Sequence, residues 1–116
     1  MNRPADQERL YLEAVLTTYN DLPGTPARPS PHDRRLARDL CRRAVPLRIV
    51  RAALLLAVAR RILRSGPPLP PVRSLHYFIP AIHELLDHPP EPGYIEYLAA
   101  KLKPFASRKT AFPGER

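Results

Sequence analysis

The sequence predicts an all-α protein, a single compact bundle of about five helices packed around a central apolar helix at residues 46–64. Three observations lead there. Apolar residues recur at the i, i+3, i+4 spacing of a helix face over long stretches. The alternating apolar–polar runs that mark strands are nearly absent, and Pro- and Gly-rich breaks cut the chain into helix-sized pieces. A length of 116 residues is enough for one domain with a core, and 44% apolar with 26% charged residues is a globular mix.

The first helix is expected over Ala5–Asn20, because Tyr11, Leu12, Val15, Leu16 and Tyr19 make one apolar stripe. Asp6 and Glu8 suit the positive end of its dipole, and Asp21-Leu-Pro-Gly stops it. Pro23–Pro29 is a loop, since four of its seven residues are Pro or Gly. The second helix opens on Ser30 as N-cap, Pro31 in the first helical position and Asp33 as the acidic third residue. Leu36, Ala37, Leu40, Cys41 and Ala44 form its buried face.

Val45-Pro46 breaks that helix, and a third is expected from Pro46 to about Arg64. Its middle, Ala52–Ala59, is apolar on every side, so it belongs at the centre of the bundle. Ser65–Pro71 reads as an extended, polyproline-like connector. The fourth helix is expected from Ser74 to Asp87, with Leu75, Phe78, Ile79, Ile82, Leu85 and Leu86 apolar and a kink or fresh start at Pro80. A fifth runs from about Pro92 to Leu102, with Tyr94, Ile95, Leu98 and Leu102 inward. The helical domain therefore covers residues 1–103, and residues 104–116 are expected to be a flexible tail.

Composition excludes several classes. The single cysteine, Cys41, allows neither an internal disulfide nor a cysteine-based zinc site, and it lies on an apolar stripe where packing is its expected role. Four glycines provide no phosphate loop, and no apolar run approaches the ~20 residues of a membrane span. The chain starts without an apolar leader, which with one unpaired thiol suits a reducing cytoplasm. His76, His83 and Asp87 are candidate metal ligands only on a continuous helix, and seven residues separate the two histidines by ~10 Å. No catalytic motif is found: Asp33 and Asp39 lie on different helix faces, while Glu84, Asp87, Glu91 and Glu96 read as surface or cap residues. The expectation is a protein that is not an enzyme and needs no cofactor.

The distribution of charge carries the functional signal. Residues 1–27 carry two basic and four acidic side chains, and residues 74–116 carry five of each. Residues 28–73 carry twelve basic side chains against Asp33 and Asp39 alone, so the whole net charge of +8 arises there. Helix two contributes Arg34, Arg35, Arg38, Arg42 and Arg43, the first four on the side opposite Leu36 and Leu40. Helix three contributes Arg48 and Arg51 at its start and Arg60, Arg61 and Arg64 at its end. Guanidinium groups pair bidentately with phosphate, and polyanion affinity follows from counterion release. These ten arginines are the candidate DNA contacts; a solvated face or an acidic protein partner remains the alternative. Pro68-Leu-Pro-Pro-Val-Arg73 has the Pro-x-x-Pro-x-Arg form, but in a chain with 16 prolines a rigid linker is the better reading.

Three segments together resemble the helical C-terminal domain of DnaD-like primosome and replication-initiation proteins. They are Ser30-Pro31 at a helix start, Ile49-Val-Arg-Ala-Ala53 in the long helix, and Leu75-His-Tyr-Phe-Ile-Pro-Ala-Ile82. The likeness spans about Leu10 to Leu86, without the Trp that closes the last motif of that family. It implies a helical fold and non-enzymatic DNA binding linked to replication initiation or a mobile genetic element, with a replication or mobile-element protein as partner. A small helical adaptor that docks an acidic protein surface is the competing expectation.

Overall fold

The computed structural model describes the backbone of residues 4–114 and the side chains of residues 5–105, and among these the chain forms five α-helices and no strand. They are α1 (Pro4–Asp21), α2 (Pro31–Arg42), α3 (Leu47–Leu63), α4 (Ile79–Asp87) and α5 (Tyr94–Gly114), with a short 3-10 helix at Leu75–Phe78.

Helix α1 buries Val15, Leu16 and Tyr19. Its last carbonyls are met by the buried Thr25, whose hydroxyl lies 2.6 Å from Tyr19 O and 2.7 Å from Leu22 O. The Tyr11 hydroxyl donates to Val45 O at 2.7 Å and so ties α1 to the turn before α3. Burial, with a smaller contribution from neighbouring Cys41, pushes that phenol up to about 12.

Helix α2 starts on a complete capping box. Ser30 Oγ accepts from Asp33 N, and Ser30 N donates to Asp33 Oδ2, both at 3.0 Å. Asp33 does more than cap. It is 1% exposed, and its second oxygen accepts from Leu75 N at 2.9 Å, which clamps the 3-10 helix onto the start of α2. The helix ends in a Schellman motif: Ala44 N donates to Cys41 O at 2.9 Å and Val45 N to Leu40 O at 3.1 Å. Ala44 is therefore in the left-handed region, with φ at 61°, and is exposed. This corrects the expectation that Ala44 lies on the buried face, because the chain leaves the helix one residue before it.

Helix α3 is the centre of the bundle. Ile49, Val50, Ala52, Ala53, Leu54, Leu55, Leu56, Val58 and Ala59 are all buried, and α1, α4, α5 and the 3-10 helix pack around it. Pro46 stands as its N-cap, so the helix begins at Leu47, one residue later than the expected start at Pro46. Val72 in the connector is buried, and its N–H donates to Gly24 O at 2.8 Å, joining the two proline-rich loops. At Pro80 the chain makes the fresh start that the sequence suggests. The 3-10 helix ends at Phe78, and Pro80 falls in the first turn of α4, where its missing N–H has no intrahelical partner to lose.

Two expectations near the C-terminus need revision. Leu86 is exposed. Helix α5 does not stop near Leu102, and its backbone continues through Pro104 to Gly114. Leu98 and Leu102 are buried, whereas Tyr94 and Ile95 are half-buried. The side chains of residues 106–114, and Glu115 and Arg116 altogether, lie outside the described residues, so of the flexible tail expected over 104–116 the helical backbone of 104–114 is described and the rest largely is not. The radius of gyration is 14.4 Å. A compact chain of this length scales to about 13 Å and an unfolded one to about 35 Å, so the helices form one globule.

Candidate nucleic-acid interface

The ten candidate arginines do not share one face. On α2, Arg38 and Arg42 both lean against α1: Arg38 Nε lies 3.1 Å from Glu8 Oε2, and Arg42 Nε lies 3.6 Å from Glu8 Oε1. One carboxylate thus serves two guanidiniums. Arg34 lines a groove of about 650 Å³ between α1 and α2, together with Glu8, Glu13 and Asp21. Arg9 and Arg38 line it too, so three carboxylates face three guanidiniums there and the groove carries no positive excess. Arg35 is exposed and has no ion pair among the described residues.

The C-terminal end of α3 is held internally. Arg60 makes a two-pronged pair with Glu84 of α4, Nη1 to Oε1 at 2.9 Å and Nη2 to Oε2 at 2.7 Å. Hydrogen bonding, aided by charge attraction, raises the Arg60 pKa and lowers that of Glu84. Arg61 donates from Nη1 to the Tyr77 hydroxyl at 3.2 Å and from Nη2 to the Pro70 carbonyl, and its guanidinium sits 5.2 Å from the centre of the Tyr77 ring. Arg64 donates to Pro67 O at 2.6 Å. Arg61 and Arg64 therefore fasten the proline-rich connector to the end of α3 through the carbonyls of Pro70 and Pro67, while Pro68 to Pro71 stay exposed.

The turn from α2 to α3 is the opposite case. Arg43, Arg48 and Arg51 are exposed, and none has an ion pair or side-chain hydrogen bond among the described residues. On a helix, Arg48 and Arg51 are one turn apart and share a flank, roughly half a turn around the axis from Arg60. Along the axis the two ends are separated by roughly 18 Å. Helix α3 also begins with no side-chain cap and no acid in its first turn. Its first N–H groups and the positive end of its dipole thus add to the field of the three arginines.

The α2–turn–α3 segment is a helix pair joined by four residues, but α3 cannot serve as a groove-reading helix. Nine of its residues are buried in the bundle, so most of the helix is not available to base edges. What the corner can do is meet phosphates. The structure adds participants that spacing did not reveal: Glu8 and Glu84 neutralise three of the ten arginines, and Tyr77 engages a fourth. No family model, curated protein or solved structure matches this chain.

Proposed function

We propose that this chain is a non-enzymatic DNA-binding protein, acting in replication initiation or on a mobile genetic element, that holds duplex phosphates through Arg35, Arg43, Arg48 and Arg51. The observation that carries this reading is the uncapped start of α3, with no acid in its first turn, where Arg43, Arg48 and Arg51 are left to solvent; Arg35, exposed on α2, adds a fourth open charge. Phosphate contact of this kind positions a protein without reading sequence. The link to replication rests on the DnaD-like resemblance alone.

The test is duplex binding by fluorescence anisotropy over a salt series. Four phosphate contacts give a slope of log affinity against log salt of about −3.6. No duplex binding near about 0.1 M salt, together with a stoichiometric protein partner in pull-downs, would replace the reading with the adaptor.

A further inference from the structure

Two exposed tyrosines stand on elements packed against α3, Tyr77 on the 3-10 helix and Tyr97 on α5, and neither is needed by the phosphate-binding corner. Tyr77 is 44% exposed and Tyr97 is 54% exposed, among the largest apolar surfaces left open to water. Tyr94 and Tyr97 lie nearly parallel, with centroids 6.2 Å apart and 20° between their planes. Each exposed ring carries a cation: Arg61 lies 5.2 Å from the centre of Tyr77, and Lys101 Nζ lies 5.7 Å from the centre of Tyr97. Each of the two exposed rings is thus paired with its own cation, Tyr77 with Arg61 and Tyr97 with Lys101.

We propose that Tyr77 and Tyr97, with the cations beside them, form a stacking surface for single-stranded nucleic acid. Duplex bases are already stacked on each other and have no free face to offer a tyrosine, whereas the bases of a single strand do. A base laid on Tyr97 extends the Tyr94–Tyr97 stack. The flexible stem of Lys101 lets its ammonium swing to the adjoining phosphate. At Tyr77 the phenol is already oriented, because Arg61 holds its hydroxyl and the Phe78 ring meets it edge-on at 5.2 Å. An acidic peptide, the other partner such cations attract, would have no use for exposed ring faces. This proposal rests on the reading of the chain as nucleic-acid binding, but on a different surface from the corner.

The chain has five tyrosines and no tryptophan, so its intrinsic emission reports tyrosine directly. An oligothymidine of about 12 nucleotides should quench that emission saturably, which charge contact alone does not do. Tyr97→Ala should weaken oligothymidine binding by about tenfold without changing its salt slope, and Tyr97→Phe should restore it. Tyr77→Ala should act in the same direction, and Tyr97→Ala keeps the test decisive if loss of the Phe78 contact unfolds the Tyr77 variant. Duplex affinity should be indifferent to either change. Unquenched emission, or oligothymidine affinity unaffected by Tyr97→Ala while duplex binding persists, overturns the stacking surface and leaves the corner standing. Tyrosine-dependent single-strand binding without duplex binding supports the stacking surface and removes the corner. Binding to neither overturns both.

Discussion

The two ends of α3 carry the same residue type and use it in opposite ways. At the C-terminal end Arg60, Arg61 and Arg64 are engaged with Glu84, the Tyr77 hydroxyl and two proline carbonyls. At the N-terminal end Arg48 and Arg51, with Arg43 across the turn, have no such partner among the described residues. A net charge of +8 is therefore a poor guide to where a polyanion sits. What matters is which guanidiniums the fold leaves to solvent. An arginine already paired to a carboxylate must give up that partner before it meets a phosphate, whereas a free one exchanges only water and counterions.

The harshest way to break the comparison is to remove the rod that separates the ends. Leu54 is completely buried near the middle of α3, so Leu54→Asp places an unpaired charge in the core. That cost approaches the whole stability of a small domain, about 5 kcal/mol or more, and the variant should lose its cooperative thermal transition in circular dichroism. A native-like melt would mean that α3 is not central.

Asp33 ties the start of α2 to the 3-10 helix that presents Tyr77. Asp33→Ala leaves two backbone donors without their acceptor and should cost about 3 kcal/mol in chemical denaturation. Ser30→Ala removes only the cap and should cost about 1 kcal/mol. Equal costs would show that the bond from Leu75 contributes nothing.

The comparison itself is tested by exchanging arginines for alanine at one end or the other. Replacing Arg43, Arg48 and Arg51 should flatten the duplex salt slope by up to about 2.7 and leave the melting temperature nearly unchanged. Replacing Arg60, Arg61 and Arg64 should leave the slope alone and lower the melting temperature, because the ties to α4 and the connector go. Because Arg60 holds the Glu84 pKa below its ordinary value, that ion pair contributes above the usual carboxylate range and is lost as pH falls through the lowered pKa. If the second set changes the slope and the first does not, the roles of the ends are reversed.

The mildest change sharpens the corner. Ala44 occupies the left-handed position that glycine normally takes in this helix ending. Ala44→Gly should stabilise the protein by up to about 1 kcal/mol in chemical denaturation, with no effect on duplex affinity. Destabilisation would mean that the turn is not held in that conformation.

Contacts close in sequence could be read without coordinates. The apolar periodicity of α1, the Ser30 cap and the break at Pro80 depend on residues within a turn or two of each other, and spacing reports them. The buried centre of α3 was legible for the same reason, since a helix without a polar side has only one place to go. The end of α5 is not legible in the same way, because Pro104 looks like a stop while the backbone carries the helix beyond it.

Only tertiary structure decided which arginines are free. Arg38 meets Glu8 across 30 residues, Arg60 meets Glu84 across 24, and Leu75 N–H meets Asp33 across 42. No local spacing rule reaches that far. The sequence by itself settled a helical protein with its positive charge concentrated on residues 28–73. Packing of α1 and α4 against the arginine-bearing helices then divided that charge between internal ties and open surface, because an ion pair depends on separation in space and not along the chain.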